Sequence, residues 1–285
     1  MKQRTLGDVS VGAIGLGGMP MSIEGRPDRE RSIATIHAAL DAGVTLIDTA
    51  DAYHQGGDGD LGHNELLIAE ALRSYGGGTS GVLVATKGGH LRPEPGVWTQ
   101  DGRPEYLKEA ARASAQRLGV EAIDLYQYHR PDPEVPYADA IGALAELLDE
   151  GVILRAGISN ADPAQIREAH GILGDRLVSV QNQFSPSFRS SEPELELCAE
   201  LGIAFLPWSP LGGISSAAEL GSRYSAFATV ADAHGVSPQV VCLAWELAKA
   251  PVVLPIPGAS RPESIRDSAT AADLELTPEE LASLD

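Results

Sequence analysis

One pattern recurs eight times along this chain of 285 residues: a short apolar run, a break at glycine, proline or polar residues, and a longer stretch with apolar residues at helical spacing. Strands that alternate with helices are joined by right-handed crossovers into a parallel sheet, which is either open and doubly wound or closed into a (β/α)₈ barrel. Eight units, and a length close to the typical barrel of about 250 residues, favour the closed form. We therefore predict an α/β fold, a TIM barrel, in which residues 1–285 form a single domain. The predicted strands are 13–16, 44–48, 82–87, 123–129, 153–159, 178–181, 203–208 and 252–256.

The stretches between these strands carry helix signals. Residues 64–75 and 137–150 each place their apolar side chains on one face. Ahead of the first strand, residues 4–11 alternate around Gly7 and Asp8, which predicts a short β-hairpin that closes the barrel floor. Three later helices are predicted to begin where a capping side chain precedes a proline, at Asp162, Ser237 and Thr277.

Charge excludes several classes of partner. The chain has 40 acidic and 21 basic side chains, a formal net charge of −19, so it would repel the phosphates of nucleic acids and anionic membranes. Neither a leader-like apolar segment nor a run of about 18 apolar residues is present, so we predict a cytoplasmic protein. Cys198 and Cys242 lie in helical sequence without CxxC spacing, which predicts buried thiols instead of a disulfide or a metal site.

Common enzyme motifs are absent from the sequence. The glycine cluster at 15–20 has Pro20 at the third glycine position of a dinucleotide fingerprint, and the next helical sequence starts only near Asp28, which argues against a Rossmann fold. None of the tyrosines is followed by a lysine four residues later. The histidines show no His-x-His spacing, so no metal site is predicted.

Polar residues close successive predicted strands, where barrel enzymes keep their catalytic groups. Asp48 closes the second strand, Lys87 the third and His129 the fourth, and Tyr53 follows Asp48 by five residues. Taken singly, Asp48 and His129 could be ordinary loop residues, and Tyr53 a core or surface residue. Lys87 is different, because a lysine that ends a buried apolar strand must be paired or functional, and Asp48 is its natural partner.

Together these four side chains predict acid catalysis. A free tyrosine, with a pKa of about 10, is a weak acid at neutral pH, but a cation beside its oxygen lowers that pKa. Tyr53 would donate the proton, Lys87 would tune it, Asp48 would hold Lys87, and His129 would orient the substrate oxygen. Such a site suits hydride addition to an aldehyde or ketone.

The motifs LIDTADAY, GHNELLIAEAL, VLVATKGG, IDLYQYHRPDP, GISN, QNQFSP, PWSPLGG and IPGASR occur one after another along the chain. With this set of motifs, the chain resembles an aldo-keto reductase over essentially its whole length. The resemblance implies that Asp48, Tyr53, Lys87 and His129 are the catalytic tetrad. It also implies a nicotinamide nucleotide, NADPH or NADP⁺, that lies extended across the barrel mouth without a Rossmann fold.

The same resemblance assigns the nucleotide contacts. Gly17, Gly18 and Met19 would line the nicotinamide end, and Trp208 would stack on the ring. Ser159, Asn160 and Gln181 would hydrogen-bond the carboxamide. The backbone of Ser209, Pro210, Leu211, Gly212 and Gly213 would wrap the pyrophosphate.

Residues after the eighth strand would hold the adenosine end, namely Gly258, Ala259, Ser260, Arg261, Ser264 and Asp267. Many family members have a lysine in place of Gly258, an arginine or glutamine in place of Ser264, and a Glu-Asn pair in place of Asp267-Ser268. Arg261 precedes Pro262, the expected first residue of a helix, and so stands where positive potential favours a phosphate. Arg261 therefore predicts that the chain binds NADPH in preference to NADH. The alternative is that Arg261 only forms a surface ion pair with Glu263 or Asp267.

The substrate side and two alternative functions remain open. Residues 88–103, with Trp98, are predicted to form a long loop and a substrate wall. The chain stops at Asp285 without the family's third loop, so we expect an open pocket for a small carbonyl compound. Lys87 could instead form a Schiff base in a class I lyase, or the chain could be a cofactor-sensing partner subunit with little turnover.

Overall fold

The computed structural model describes residues 1–213 and 216–285. Seven parallel strands form one curved sheet, in which each strand pairs with the next barrel strand along the chain. They are β3 (Leu16–Gly17), β4 (Leu46–Asp48), β5 (Leu83–Gly88), β8 (Leu125–Tyr128), β9 (Ala156–Ser159), β10 (Leu177–Gln181) and β11 (Ala204–Phe205). Helices pack on the outside, so the predicted TIM-barrel α/β fold with one domain is confirmed.

The eighth strand position closes the sheet without a regular ladder. The segment 252–258 makes parallel bridges from Val253 to Phe205 and from Gly258 to Gly17. Its backbone also donates from Leu254 N to the Phe205 carbonyl at 2.8 Å. Prolines at 251, 255 and 257 remove backbone donors, which explains why the predicted strand 252–256 is bridged but not extended.

Helices follow the strands as the apolar periodicity predicts. Asp162 and Thr277 cap their helices in reciprocal capping boxes, and Ser237 Oγ accepts from the Val240 amide, so the three predicted caps are confirmed. No helix in residues 1–213 and 216–285 is long and apolar enough to span a membrane. The α-helices are α1 (Arg29–Asp41), α2 (His63–Ser74), α3 (Pro104–Leu118), α4 (Tyr137–Asp149), α5 (Pro163–Leu173), α6 (Glu192–Leu201), α7 (Leu220–Arg223), α8 (Ser225–His234), α9 (Pro238–Lys249), α10 (Pro262–Thr270) and α11 (Pro278–Leu284).

The predicted N-terminal hairpin is present and plugs the barrel floor. Strands β1 (Gln3–Leu6) and β2 (Val9–Gly12) are antiparallel. Leu6 and Val11 are buried in the cluster that fills the barrel interior. Gly7 in the turn has φ +60°, and a Cβ there would lie 2.5 Å from Val178 Cγ1, so the turn fits beneath β10 only with glycine.

The prediction of a long loop over residues 88–103 is wrong, because this segment forms a β-hairpin. Strands β6 (His90–Glu94) and β7 (Val97–Gln100) pair antiparallel and turn at Gly96, which has a positive φ. The sequence at 90–94 contains a histidine, an arginine, a proline and a glutamate, so its strand pattern was not visible. The hairpin rises beside the barrel mouth.

Two cysteines and the glutamate Glu246 are buried in the helical layer. Cys198 and Cys242 are free, buried thiols as predicted, and burial raises the pKa of Cys198 to about 12. Glu246 in α9 is fully buried, and neither carboxyl oxygen has a hydrogen-bond partner among the described residues. Burial raises the pKa of Glu246 well above its ordinary value, so the folded protein favours the neutral acid.

Glu246 therefore makes stability depend on pH. Because the pKa of Glu246 is higher in the folded than in the unfolded protein, folding takes up a proton at neutral pH. The contribution of this proton to the free energy of unfolding is fully present below the unfolded pKa and is lost as the pH rises through the folded pKa. We expect Glu246→Leu to raise the free energy of unfolding by about 1–3 kcal/mol at pH 8, and by less at pH 5. Urea unfolding at both pH values measures this difference. Glu196→Leu, at an exposed position of α6, is the matched control, and an equal gain from both variants would contradict the assignment.

Candidate active site

The four predicted polar residues meet at the carboxyl end of the barrel. Asp48 ends β4, Lys87 is the penultimate residue of β5, and His129 directly follows β8. Tyr53 lies in the loop after β4 and is 8% exposed. Parallel strands bring their carboxyl ends to one rim, so residues separated by about forty positions in sequence become neighbours.

Lys87 is the centre of the cluster. Its side chain is fully buried, and Nζ donates to Asp48 Oδ1 at 2.6 Å, to the Thr49 carbonyl at 2.9 Å and to Tyr53 Oη at 3.1 Å. These three contacts use all three N–H groups of the ammonium ion. Burial lowers the pKa of Lys87, but Asp48 and Tyr53 outweigh burial, and the net direction is upward. The lysine is therefore held as a cation.

Two glutamines complete the hydrogen bonds of Asp48. Gln181 Nε2 donates to Asp48 Oδ2 at 2.8 Å, and Gln127 Nε2 donates to the same oxygen at 3.3 Å. The sequence analysis missed Gln127. It lies two residues before His129, so strand alternation could have placed it on the inward face. A carboxylate with an ammonium ion and two amide donors is a satisfied buried anion.

The pKa of Tyr53 differs from the sequence expectation. Burial raises it, and Lys87 acts in the opposite direction without reversing the net shift. The phenol is consequently protonated at neutral pH, the state that a proton donor requires. The sequence could not reveal how completely the loop after β4 covers this side chain.

His129 is neutral at physiological pH. Burial lowers its pKa well below the ordinary value, and the nearby Lys87 cation lowers it further. Its ring meets the Tyr53 ring edge-on, with centroids 5.6 Å apart. Its Nδ1 is buried without a hydrogen-bond partner among the described residues, which leaves Nε2 as the nitrogen able to meet a ligand.

A cavity of about 610 Å³ opens directly above this cluster. Asp48, Tyr53 and His129 line it, whereas Lys87 lies beneath the lining. Of the residues predicted to bind nucleotide or substrate, it is lined by Gly17, Met19, Trp98, Ser159, Asn160, Gln181, Trp208, Ser209, Pro210, Leu211, Gly213 and Gly258. Gly18, Gly212, Ala259, Ser260, Arg261, Ser264 and Asp267 are outside its lining.

The residues predicted to contact the nicotinamide carboxamide already use several of their hydrogen-bonding groups within the protein. Asn160 Nδ2 donates to the His129 carbonyl at 2.9 Å and to Ser159 Oγ at 3.0 Å, and Ser159 Oγ donates to the Gln181 carbonyl at 2.7 Å. Because Gln181 gives its amide nitrogen to Asp48, the side-chain oxygens of Asn160 and Gln181 are the groups left to face a ligand. These residues can accept hydrogen bonds from a carboxamide, but they offer it few donors.

Backbone strain is concentrated at this rim. Asn160 with φ 56° and Ser209 with φ 52° are the non-glycine residues of the described chain that have a positive φ. Each follows a strand end, and both line the cavity. Strained backbone of this kind clusters at ligand sites, where surrounding contacts hold it in place. Gly213 lies four residues after Ser209 and has φ 101°. A Cβ at this position would meet nothing within 4 Å, which leaves room for a ligand beside the backbone.

Trp208 contributes an unsatisfied group to the cavity wall. Its ring is half-buried, and Nε1 is buried without a partner among the described residues. An aromatic face beside open backbone and acceptor oxygens fits a nicotinamide ring and its carboxamide. The residues present therefore fit the nucleotide that the sequence implies.

The predicted adenosine residues do not form one group, because Gly258 lines the cavity whereas Arg261 and Ser264 pair with each other outside it. Arg261 stands at the N-cap position of α10, is exposed, and donates from Nε to Ser264 Oγ at 2.7 Å. No ion pair joins it to Glu263 or Asp267 within the described residues. Asp267 instead accepts from Ser237 Oγ at 2.6 Å, and Ala259 is buried in the core between α1 and α10. Arg261 thus keeps most of its guanidinium donors free.

The β6–β7 hairpin supplies one wall. Trp98 stacks on His90 with ring centroids 4.7 Å apart, and His90 in turn meets the His129 ring at 5.0 Å. Arg92 supports the outer face of Trp98, with its guanidinium carbon 4.7 Å from the ring centroid, and it also pairs with Glu24 and the His54 carbonyl. Trp98 therefore lies in the wall of the cavity, although it remains 37% exposed, and its contact with substrate stays a prediction.

Residues 13–285 match the family model described as the Aldo/keto reductase family. The chain belongs to this family. It is a family of oxidoreductases that use a nicotinamide cofactor. An uncharacterized oxidoreductase of Schizosaccharomyces pombe is 36% identical over 284 residues, which are 98% of this chain and 88% of the relative. Pyridoxine 4-dehydrogenase of Escherichia coli is 33% identical over 291 residues, with coverage of 99% and 96%.

A solved structure shows the same fold. The aldo/keto reductase from Klebsiella pneumoniae, determined in complex with NADP and acetate, superposes with a TM-score of 0.81 at 26% identity. The match covers 100% of this chain and 94% of the other. The family assignment, made from motif order, is confirmed.

The Lys87–Asp48 pair generates a stability prediction. Asp48→Asn leaves a fully buried ammonium ion without its counter-charge, which is expected to lower the free energy of unfolding by about 3–5 kcal/mol. Lys87→Met with Asp48→Asn removes both charges and should recover a large part of that loss. Urea unfolding of the two single variants and the double variant measures the coupling. Strict additivity would show that the pair does not depend on mutual charge compensation.

Proposed function

We propose that this protein is an NADPH-dependent reductase that converts an aldehyde or ketone to an alcohol, with Tyr53 as the general acid. The observation that carries the proposal is the contact between Lys87 Nζ and Tyr53 Oη at 3.1 Å, at the base of an open cavity. A protonated phenol held against a cation can release its proton to a nearby oxygen, because the cation stabilises the phenolate that remains.

When bound, the reduced nicotinamide supplies a hydride to the carbonyl carbon. The carbonyl oxygen then takes the Tyr53 proton, so the product is neutral and the negative charge stays on the phenolate beside Lys87. His129, neutral and edge-on to Tyr53, can donate from Nε2 to the same oxygen and hold it near the phenol. Asp48 and its two glutamine donors fix Lys87, so the donor group is preorganised before substrate arrives.

The contacts of Lys87 argue against the Schiff-base lyase alternative. A nucleophilic amine must lose its proton and reach the substrate carbonyl, whereas all three N–H groups of Lys87 contact protein oxygens. The upward shift of its pKa opposes deprotonation as well. The alternative of a partner subunit with little turnover is answered by measuring turnover.

Substitution of the acid tests the mechanism. Tyr53→Phe removes the proton donor but keeps the ring, so turnover of a small aldehyde should fall by about 10²- to 10⁴-fold. Nucleotide affinity, followed by tryptophan fluorescence quenching, should stay within about threefold. Steady-state kinetics with NADPH gives the first quantity. Tyr75→Phe, on the outer surface, is the matched control, and near wild-type turnover by Tyr53→Phe would refute the assignment.

Arg261 supports NADPH as the cofactor. Arg261 stands at the N-terminus of α10, and its guanidinium is free of ion pairs in the described chain, so it can bind a phosphate monoester together with Ser264. Charge-assisted hydrogen bonds are worth about 1.5–3 kcal/mol, so Arg261→Ala should weaken NADPH binding by roughly tenfold to a hundredfold. NADH binding should barely change.

Arg266→Ala, on the same helix and exposed, changes the net charge equally and serves as the control. Fluorescence titrations of wild-type protein and the two variants with both nucleotides give the dissociation constants needed. If wild-type protein bound NADPH and NADH equally, or if Arg261→Ala weakened both to the same extent, Arg261 would have no role in phosphate recognition.

A further inference from the structure

One arginine in the cavity wall has no partner among the residues that the structure describes. Arg130 directly follows His129, is half-buried, and lines the same cavity as Tyr53 and Trp98. Its guanidinium makes no hydrogen bond, ion pair or ring contact with any residue in 1–213 or 216–285. The other buried or half-buried arginines of the described chain all donate to a carboxylate or carbonyl, namely Arg4, Arg26, Arg92, Arg117, Arg155 and Arg189.

Two acidic residues near Arg130 in sequence or at the end of the adjoining hairpin already have partners. Asp132 accepts from the amides of Gly102 and Glu134, and Asp101 pairs with Arg103. Asp48, the acidic residue in the cavity lining, is paired with Lys87. The chain has a net charge of −19, yet the positive charge of Arg130 has no counter-ion among the described residues. This charge lies in the cavity wall, where an anionic ligand could neutralise it.

The position of Arg130 places this cation toward the hairpin wall. Arg130 lines the same cavity as His90 and Trp98. Burial lowers the pKa of His90 to about 4, and the positive charge of Arg130 acts in the same direction. His90 is therefore uncharged at neutral pH and stacks on Trp98. The strained rim at Asn160 and Ser209, which fits the nucleotide, comes from the other strand ends of the barrel mouth.

We propose that Arg130 binds an anionic group, a carboxylate or a phosphate, carried by the carbonyl substrate, so that the preferred substrates are acidic aldehydes or ketones. The inference rests on the proposed reductase function. A planar guanidinium offers parallel N–H donors that match the oxygens of both anions. His129 and Arg130 are consecutive residues, so one segment of chain positions the reacting oxygen and the remote anion together. Binding energy from the remote group then orients the carbonyl.

Paired substrates test the charge directly. We choose para-formylbenzoate, its neutral methyl ester, and para-formylphenyl phosphate, all reduced with NADPH. Wild-type protein should prefer an anionic aldehyde over the ester by about tenfold to a hundredfold in kcat/KM. Arg130→Gln should abolish that preference through KM and leave the ester within about threefold, whereas Arg130→Lys should retain part of it. The carboxylate and phosphate arms identify which anion is bound.

Arg73→Gln, at an exposed position of α2, is the control for the loss of one positive charge. Equal losses for ester and anion in Arg130→Gln would overturn the proposal, because they would indicate a structural role. A loss of NADPH affinity in this variant would also overturn it, since Arg130 would then belong to the nucleotide site. Wild-type protein that reduced the ester as well as both anions would refute the inference and leave the reductase function intact.

A binding measurement separates this inference from the reductase function. Quenching of tryptophan fluorescence by para-formylbenzoate, without nucleotide, reports occupancy of the cavity beside Trp98. If no aldehyde were reduced but the anion bound wild-type protein at least tenfold more tightly than Arg130→Gln, the anion site would stand and the reductase function would fail. If the two proteins bound the anion equally, the anion site would be refuted.

Discussion

The ion pair between Lys87 and Asp48 is the constraint on which the rest of this site depends. Burying an ammonium ion and a carboxylate in a barrel mouth is costly unless every donor and acceptor is used. The chain meets that demand with Thr49, Gln127 and Gln181, which contribute a carbonyl and two amide donors. The contact from Lys87 to Tyr53 is a product of this arrangement, because the third N–H group must also find an acceptor.

Around that pair the barrel mouth divides into two kinds of wall. One rim consists of the described residues that follow β9 and β11, with strained backbone at Asn160 and Ser209 and accessible acceptors. The other is the β6–β7 hairpin, an aromatic wall in which Trp98 is held between His90 and Arg92. Loops at the strand ends of a barrel are where ligands bind, whereas an added hairpin can vary without disturbing the barrel.

The packed interior below the mouth supports the strand ends. Side chains from successive strands fill the barrel, and the N-terminal hairpin closes the far end with Leu6 and Val11. Tightly packed interiors deform little, so the strand ends that carry Asp48, Lys87 and His129 are held in fixed relative positions. The hairpin thus contributes to the active site from the opposite end of the barrel, through packing alone.

The barrel, the helix caps and the four polar residues at the strand ends can be predicted from the sequence, because apolar periodicity and capping depend on local chemistry. Other features depend on residues distant in sequence: Gln127 and Gln181 satisfy Asp48, burial raises the pKa of Tyr53, and residues 88–103 form a hairpin. That Arg130 has no partner in the described part of the chain is a feature of the same kind. A local pattern shows which side chains face inward, but hydrogen bonds and burial arise only when separate strands meet.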